Sequence, residues 1–285
     1  MVSIFGPILY SVIDYIELGG VLVIWILGLN LFVGCRAEAP EDYDALMSYM
    51  IEHYHDDPAY LEDGVEQLFT LLDDDVARKL GRGQRMQTLT PEAIETLEPG
   101  LTAQPELLGI VRSRDFPYTV EDLAYTNFLV HPRDVFTNPD AINERTYIGE
   151  PECFVDGECE YLEYEATLQR FLPLGIDATI YFHTHIRWVE SDWGPVFVQQ
   201  RWLTDTPEVS VDWIHLNHGY SFAVTIPWVD EDDDAVYAKQ IEHIWGDIAL
   251  GDMPIPEEGA FMVASDVLGG ILRQFEEYLD ANPLR

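Results

Sequence analysis

Lysine is nearly absent from this chain. It occurs only at Lys79 and Lys239, and Lys and Arg together number 15 against 52 Asp and Glu, a formal net charge of −37. A surface of that sign repels phosphates and anionic headgroups. This excludes charge-driven nucleic-acid binding, and it excludes membrane contact through the folded surface. Acidic excess with lysine starvation is also the composition of proteins that work at high ionic strength, where salt screens self-repulsion. Cysteine is scarce too: Cys35, Cys153 and Cys159 are the three present, which leaves no second pair for a zinc site. The chain has no Gly-x-Ser-x-Gly, no phosphate-cradling glycine loop and no His-Glu-x-x-His, so the usual signatures of serine hydrolases, nucleotide binders and zinc proteases are missing. Carboxylates are so abundant that no acid–base pair stands out. Glu163, Glu165 and Glu190 fall on strand-like segments, where solvated surface charge is the default. These absences point away from an enzyme and imply no cofactor.

What the chain does have, first, is an apolar beginning. Leu18–Gly34 is seventeen residues without a charge, at the short edge of what spans a bilayer. Phe32-Val33-Gly34-Cys35 closes it with a small residue before cysteine, as in a bacterial lipoprotein signal. No Lys or Arg precedes Arg36, while Asp14 and Glu17 do, so the basic start of an export signal is missing. Two readings stay open: lipidation at Cys35, where two or more chains anchor firmly, or an uncleaved anchor at Leu18–Gly34. Either reading predicts an extracytoplasmic, envelope-attached protein, touching the membrane through its N-terminus. Cys153 and Cys159 then stand in the run ECFVDGEC. Asp156-Gly157 is a hairpin-turn signal that brings the sulfurs together. A disulfide there suits an oxidising compartment and gains on the order of 2 kcal/mol from loop closure.

The remainder is 47% hydrophobic and 12% aromatic over the whole chain, enough for a packed core. Its periodicity predicts three parts: the apolar segment 1–34, an acidic helical unit over 35–112, and an α+β domain over 113–285. In the helical unit Leu46, Met50 and Tyr54, then Leu61, Val65, Leu68 and Leu72, recur at three and four, with Asp57-Pro58 breaking the run. Arg78, Lys79, Arg82 and Arg85 are read as counter-charge to acidic helices. Thr90-Pro91 starts another helix. From Phe116 onward, strands are predicted at Tyr125–Val130, Tyr161–Phe171, Ala178–Glu190, Pro195–Leu203, Val209–Leu216 and Tyr220–Trp228, with turns at Asp192-Trp193-Gly194, Asp205-Thr206-Pro207 and Asn217-His218-Gly219. A helix is predicted over Ala235–Ile248 after the acidic run 230–234. A final amphipathic helix is predicted over Val263–Leu279, with Val267, Leu268, Ile271, Leu272, Phe275 and Leu279 as its stripe.

This order carries a resemblance. A strand, a short link at HPRDVFTNPDA, a meander of curved antiparallel strands and a long last helix at VASDVLGGILRQFEEYL resemble the START-like helix-grip (SRPBCC) superfamily over residues 115–285. The resemblance implies a curved antiparallel sheet gripping the last helix around an apolar cavity for lipids, sterols or polyketides. The helix at 235–248 and the Cys153–Cys159 turn are not typical of that family. Gly269-Gly270 inside the last helix costs about 1 kcal/mol per glycine relative to alanine. Close packing or room for a ligand would account for it.

The function expected is non-catalytic binding of an apolar small molecule or lipid, with Trp188, Trp202, Trp213, Phe222, Leu268 and Leu272 as the lining. The alternative is an envelope interaction module with a filled core and a protein partner. A third reading is a metal-assisted hydrolase. His183 and His185 share one strand face, about 7 Å apart at the backbone, and His215 or Asp212 would supply a third ligand.

Overall fold

The computed structural model describes residues 37–101, 105–136, 143–172, 176–229, 236–249 and 257–283. Within it, 39–285 group as one compact unit. Helix starts follow directly from short side chains that satisfy free backbone N–H groups. Asp42 accepts from Ala45 N (3.0 Å) ahead of α1 (Tyr43–Glu52), and Asp57 from Ala59 N (3.0 Å) ahead of α2 (Pro58–Leu71). Asp73 caps α3 (Asp74–Arg82), and Thr90 caps α4 (Pro91–Leu97). A reciprocal Thr119–Asp122 capping box opens α5 (Val120–Phe128), which α6 (Pro132–Val135) follows.

The strands are β1 (Gln84–Met86), β2 (Leu108–Phe116), β3 (Asn143–Tyr147), β4 (Tyr161–Leu172), β5 (Ile176–Val189), β6 (Val196–Leu203), β7 (Glu208–Val209), β8 (His215–Val229) and β9 (Val236–Ala249). They form one antiparallel sheet in the order β1-β2-β9-β8-β6-β5-β4-β3, with β7 on β5. A short helix α7 (Pro151–Val155) precedes β4, and the chain's last long element is α8 (Glu257–Ala281). The fold class is therefore α+β: a large open antiparallel sheet with a C-terminal helix.

Both faces of this sheet are apolar. The inner face packs on α8: Phe182, Ile186 and Phe197 meet Leu272, Phe275 and Leu279, with Phe116, Leu123 and Phe128 alongside. The outer face packs on the first helices: Val198, Phe222, Val224 and Ile241 meet Leu46, Met50, Tyr54, Leu61, Val65 and Leu68. Tyr54 fastens that contact by donating to the carbonyls of His185 (3.0 Å) and Val198 (3.2 Å), and its own carbonyl accepts from Arg187 Nη1 (2.8 Å).

Several expectations need correction. The boundary at 112/113 falls inside β2, and the helical residues share one core with the sheet instead of forming a unit of their own. Tyr125–Val130 is no strand. It is mostly the end of α5, because the capping box commits the segment to helix and Val120, Leu123, Ala124 and Phe128 then share its buried face. The segment read as a helix at Ala235–Ile248 is β9, paired on one side with β2 and on the other with β8. Two full ladders outweigh the acidic run before it, which reads locally as a helix cap. Val209–Leu216 is no continuous strand, since β7 ends at Val209. Asn217-His218-Gly219 is not a turn but lies within β8, where an irregularity between Leu216 and His218 shifts the register. Cys153 and Cys159 form a disulfide, with Cα atoms 5.3 Å apart. The segment between them is not a hairpin: it is the end of α7 and a turn that Gly157 completes at φ +73°. The apolar segment Leu18–Gly34, Cys35 and the acidic run 230–234 lie outside the described residues. Among the described residues, no helix is long and apolar enough to cross a membrane.

The adjacent glycines in the middle of α8, Gly269 and Gly270, part company. A Cβ on Gly269 would collide with the Arg112 guanidinium, which lies on the helix there and donates to Ser265 O (2.8 Å). A Cβ on Gly270 would meet nothing within 4 Å. Gly270→Ala is therefore expected to stabilise the protein by about 0.5–1 kcal/mol through helix propensity alone. Gly269→Ala gains the same but displaces a charged hydrogen bond worth about 1.5–3 kcal/mol, for a net loss. Urea denaturation of the two variants should move the midpoint in opposite directions.

Candidate functional site

Between the inner face of the sheet and α8 lies a cavity of about 400 Å³, within the range of about 300–1,000 Å³ typical of ligand pockets. Its walls are mainly apolar. Leu268, Ile271, Leu272 and Phe275 come from α8, Val130, Val135 and Phe136 from the α5–α6 region, and Ala166, Leu168, Ala178 and Ile180 from β4 and β5. Strand pairing explains why these side chains converge. Alternation sends every second residue of each strand inward, and α8 presents its i, i+3, i+4 stripe to the same space.

Polar groups punctuate this lining. Register places Ser221 of β8, Arg201 of β6, Thr184 of β5, Tyr164 of β4 and Tyr147 of β3 side by side across five strands. Arg201 Nε donates to Thr184 Oγ1 (3.3 Å), and its guanidinium lies 4.7 Å from the Phe182 ring centroid. Arg145 lies 4.7 Å from the Tyr164 ring centroid and donates to Tyr147 Oη (2.8 Å) and to Asn127 O. Burial pushes the Tyr164 hydroxyl up, yet Arg145 and Arg201, with hydrogen bonds from Thr184 and Arg201, bring it below the usual tyrosine range. Glu242 of β9 lines the same cavity, with Arg201 Nη1 at 3.8 Å and Gln240 Nε2 at 3.4 Å. Burial holds its carboxyl above the usual range against the pull of Arg201. Thr126 Oγ1 and Asn127 Nδ2 also border the cavity, buried and without a hydrogen-bond partner among the described residues.

The residues expected as lining are distributed as follows. Leu268 and Leu272 line the cavity from α8. Trp202 borders it, but its indole is stacked on His183 (4.6 Å between centroids), on the face that α1 covers. Phe222 is not in the lining, because its parity in β8 turns it outward against Tyr54. Trp188 is not in the lining either: it stacks on Phe154 (5.3 Å) and donates to Phe154 O (2.7 Å). It borders a second hollow rimmed by Glu62, Glu121, Asp156, Glu158, Glu160 and Glu190. Trp213 sits half-buried in the bend before β8, outside the lining. The strand residues Arg145, Tyr164, Arg201 and Glu242 escaped the sequence reading. Their one signal is cations placed in apolar strands of a chain that has few.

His183 and His185 do share a face, and it is not open to solvent. His185 is 9% exposed, beneath Tyr54 and His55 of the α1 region. Their Nε2 atoms lie 3.5 and 3.3 Å from the two oxygens of Glu163. His215 and Asp212 do not join them: β6 stands between β5 and β8. Among the described residues, no group of three His, Cys, Asp or Glu is placed to hold a metal ion.

No protein-family profile matches the chain, and no curated protein is recognisably similar to it. Among solved structures, the crystal structure of Ara h 8.0201 is similar over 62% of this chain and 99% of that one, at 12% identity and a TM-score of 0.36. So distant a likeness informs neither family nor ligand; the fold stands on the topology itself.

Two buried histidines tie stability to pH. His185 is pushed down to about 4 by burial first, then by His55, His183 and Arg187; His243 is pushed down to about 4 by burial. His243 Nδ1 donates to Phe222 O (2.7 Å), leaving Nε2 to accept from Tyr43 Oη (2.8 Å). Because both folded values lie below the unfolded value of 6.5, the unfolded chain binds the extra protons. The stability from the neutral rings is complete above that value and is lost as pH falls towards 4. Replacing His243 by Gln should reduce the difference between unfolding free energies, measured by urea titration at about pH 7 and about pH 4.5, by on the order of 2 kcal/mol.

Proposed function

We propose that this protein binds an apolar small molecule or lipid in the cavity between the sheet and α8, without catalysing its conversion. The observation that carries this reading is the cavity itself: about 400 Å³, walled by aliphatic and aromatic side chains, with a few polar groups converging in it. The same void weighs against the alternative of an interaction module with a filled core. In a densely packed interior, unfilled volume next to a long helix sacrifices dispersion contacts, and an occupant restores them. The helix-grip order of elements, a strand, two short helices, a meander and a last helix, supports the same reading.

Native mass spectrometry of the purified full-length protein should show a co-purifying molecule of low polarity. Leu268→Trp combined with Leu272→Trp fills the space from α8 and should remove that mass or weaken binding at least about tenfold, the loss of roughly 1.4 kcal/mol. An empty protein that takes up no apolar probe would refute the reading.

Attachment to the cell envelope is the second element of the proposal. It rests on the uncharged run Leu18–Gly34 and on Gly34-Cys35. Labelling with palmitate should mark the wild type and spare Cys35→Ala. Membrane retention of both without label would favour an uncleaved anchor, and soluble protein in both would end the idea.

A further inference from the structure

The cavity is apolar, and the polar groups around Asn127 are donors, while Glu242 on the Arg201 side adds a carboxylate. Thr126 Oγ1 and Asn127 Nδ2, buried and unsatisfied among the described residues, are both able to donate. Arg145 donates to the carbonyl of that same Asn127 and lies over the ring of Tyr164. Arg201 hydrogen-bonds the Tyr164 hydroxyl from the other side. Two guanidinium groups therefore flank one phenol in a space walled mainly by hydrocarbon. Arg201 has Glu242 as a distant counter-charge at 3.8 Å. Among the described residues no ion pair joins Arg145 to a carboxylate; its partners are a carbonyl, a hydroxyl and two aromatic rings.

Charge scarcity sharpens this. In a chain with 15 cations against 52 acids, almost any basic side chain finds a carboxylate on the surface. Placing one in an apolar cavity, without an acid beside it, carries a desolvation cost that in the free protein is met by a carbonyl, a hydroxyl and ring faces in place of a carboxylate. An anion bound there would offset it. The low position of the Tyr164 hydroxyl reports the same positive field at that point of the cavity.

Resting on the cavity reading above, we infer that the ligand is an amphiphile with a carboxylate head. Its oxygens are held by Arg145, Thr126 and Asn127 beside Tyr164 and Arg201, and its hydrocarbon lies against α8. A carboxylate is acceptor-only when ionised, which matches a group of donors, and its planar pair of oxygens suits a guanidinium fork. A neutral alcohol satisfies one donor and leaves Arg145 without an anion. A cationic head is repelled by both guanidinium groups.

The test titrates the full-length protein calorimetrically with dodecanoate, dodecanol and dodecyltrimethylammonium, three heads on one tail. The wild type is expected to bind dodecanoate at least about tenfold more tightly than dodecanol, as a charge-assisted hydrogen bond provides, and the ammonium probe most weakly. In Arg145→Met the ratio of the two affinities should fall towards one, and in Tyr164→Phe, which keeps the ring, it should fall part-way. If Arg145→Met does not fold, the ratio in Tyr164→Phe decides. Equal binding of dodecanoate and dodecanol by the wild type overturns this inference and leaves the apolar-cavity reading intact. So does a ratio unchanged in the variants. Failure of all three probes to bind removes both.

Discussion

A sheet that is apolar on both faces has to be covered twice, and the rest of this fold follows from how that is done. On the outer face, α1, α2 and α4 lay down leucines, methionines and tyrosines until the surface is closed. On the inner face one long helix, α8, shares the task with the short α5 and α6. It packs closely at its C-terminal end, where Leu272, Phe275 and Leu279 join the aromatic cluster around Phe116 and Phe128. One cylinder lying across a broad sheet cannot fill every gap beneath it, and the cavity is the remainder.

Charge economy is the second constraint. With so few basic side chains, each buried one marks a place where the fold spends something scarce. Lys239, one of two lysines, is 3% exposed, paired with Asp115 and 4.4 Å from the Trp228 ring centroid. Arg187 joins the sheet to Glu160 and to the end of α1. Arg114 holds α8 through Glu276. These three are structural, each with an acidic partner. Arg145 departs from that pattern, and the departure draws the eye to the cavity.

Much of the architecture was legible because its signals are local. Asp42, Asp57, Asp73 and Thr90 announce helix starts that the backbone then uses, and the stripe Val267–Leu279 is periodic enough to name α8. Where reading failed, the reason was tertiary. A strand covered on both faces loses its alternation, so VFVQQRWL of β6 hides which residues point inward. VYAKQIEHIWGDIA puts polar and apolar residues at helix-like intervals, yet it lies between two strands that claim its hydrogen bonds. The lining suffered the same way. The tryptophans were chosen for size, but Trp188 and Trp202 stack on neighbouring rings. Arg145 and Tyr164 meet only because β3 and β4 pair in one register.

Tyr54 shows what a sheet one residue thick implies. Its hydroxyl bridges the carbonyls of His185 and Val198 from the outer side. The next residues along those same strands, Thr184, Ile186 and Gln199, point the other way, into the inner core and the cavity floor. The turn after α1 that carries Tyr54 thus sets the level of a surface it never touches. Selectivity in such a protein is open to adjustment from behind, by substitutions among residues that no contact list of a bound molecule would include.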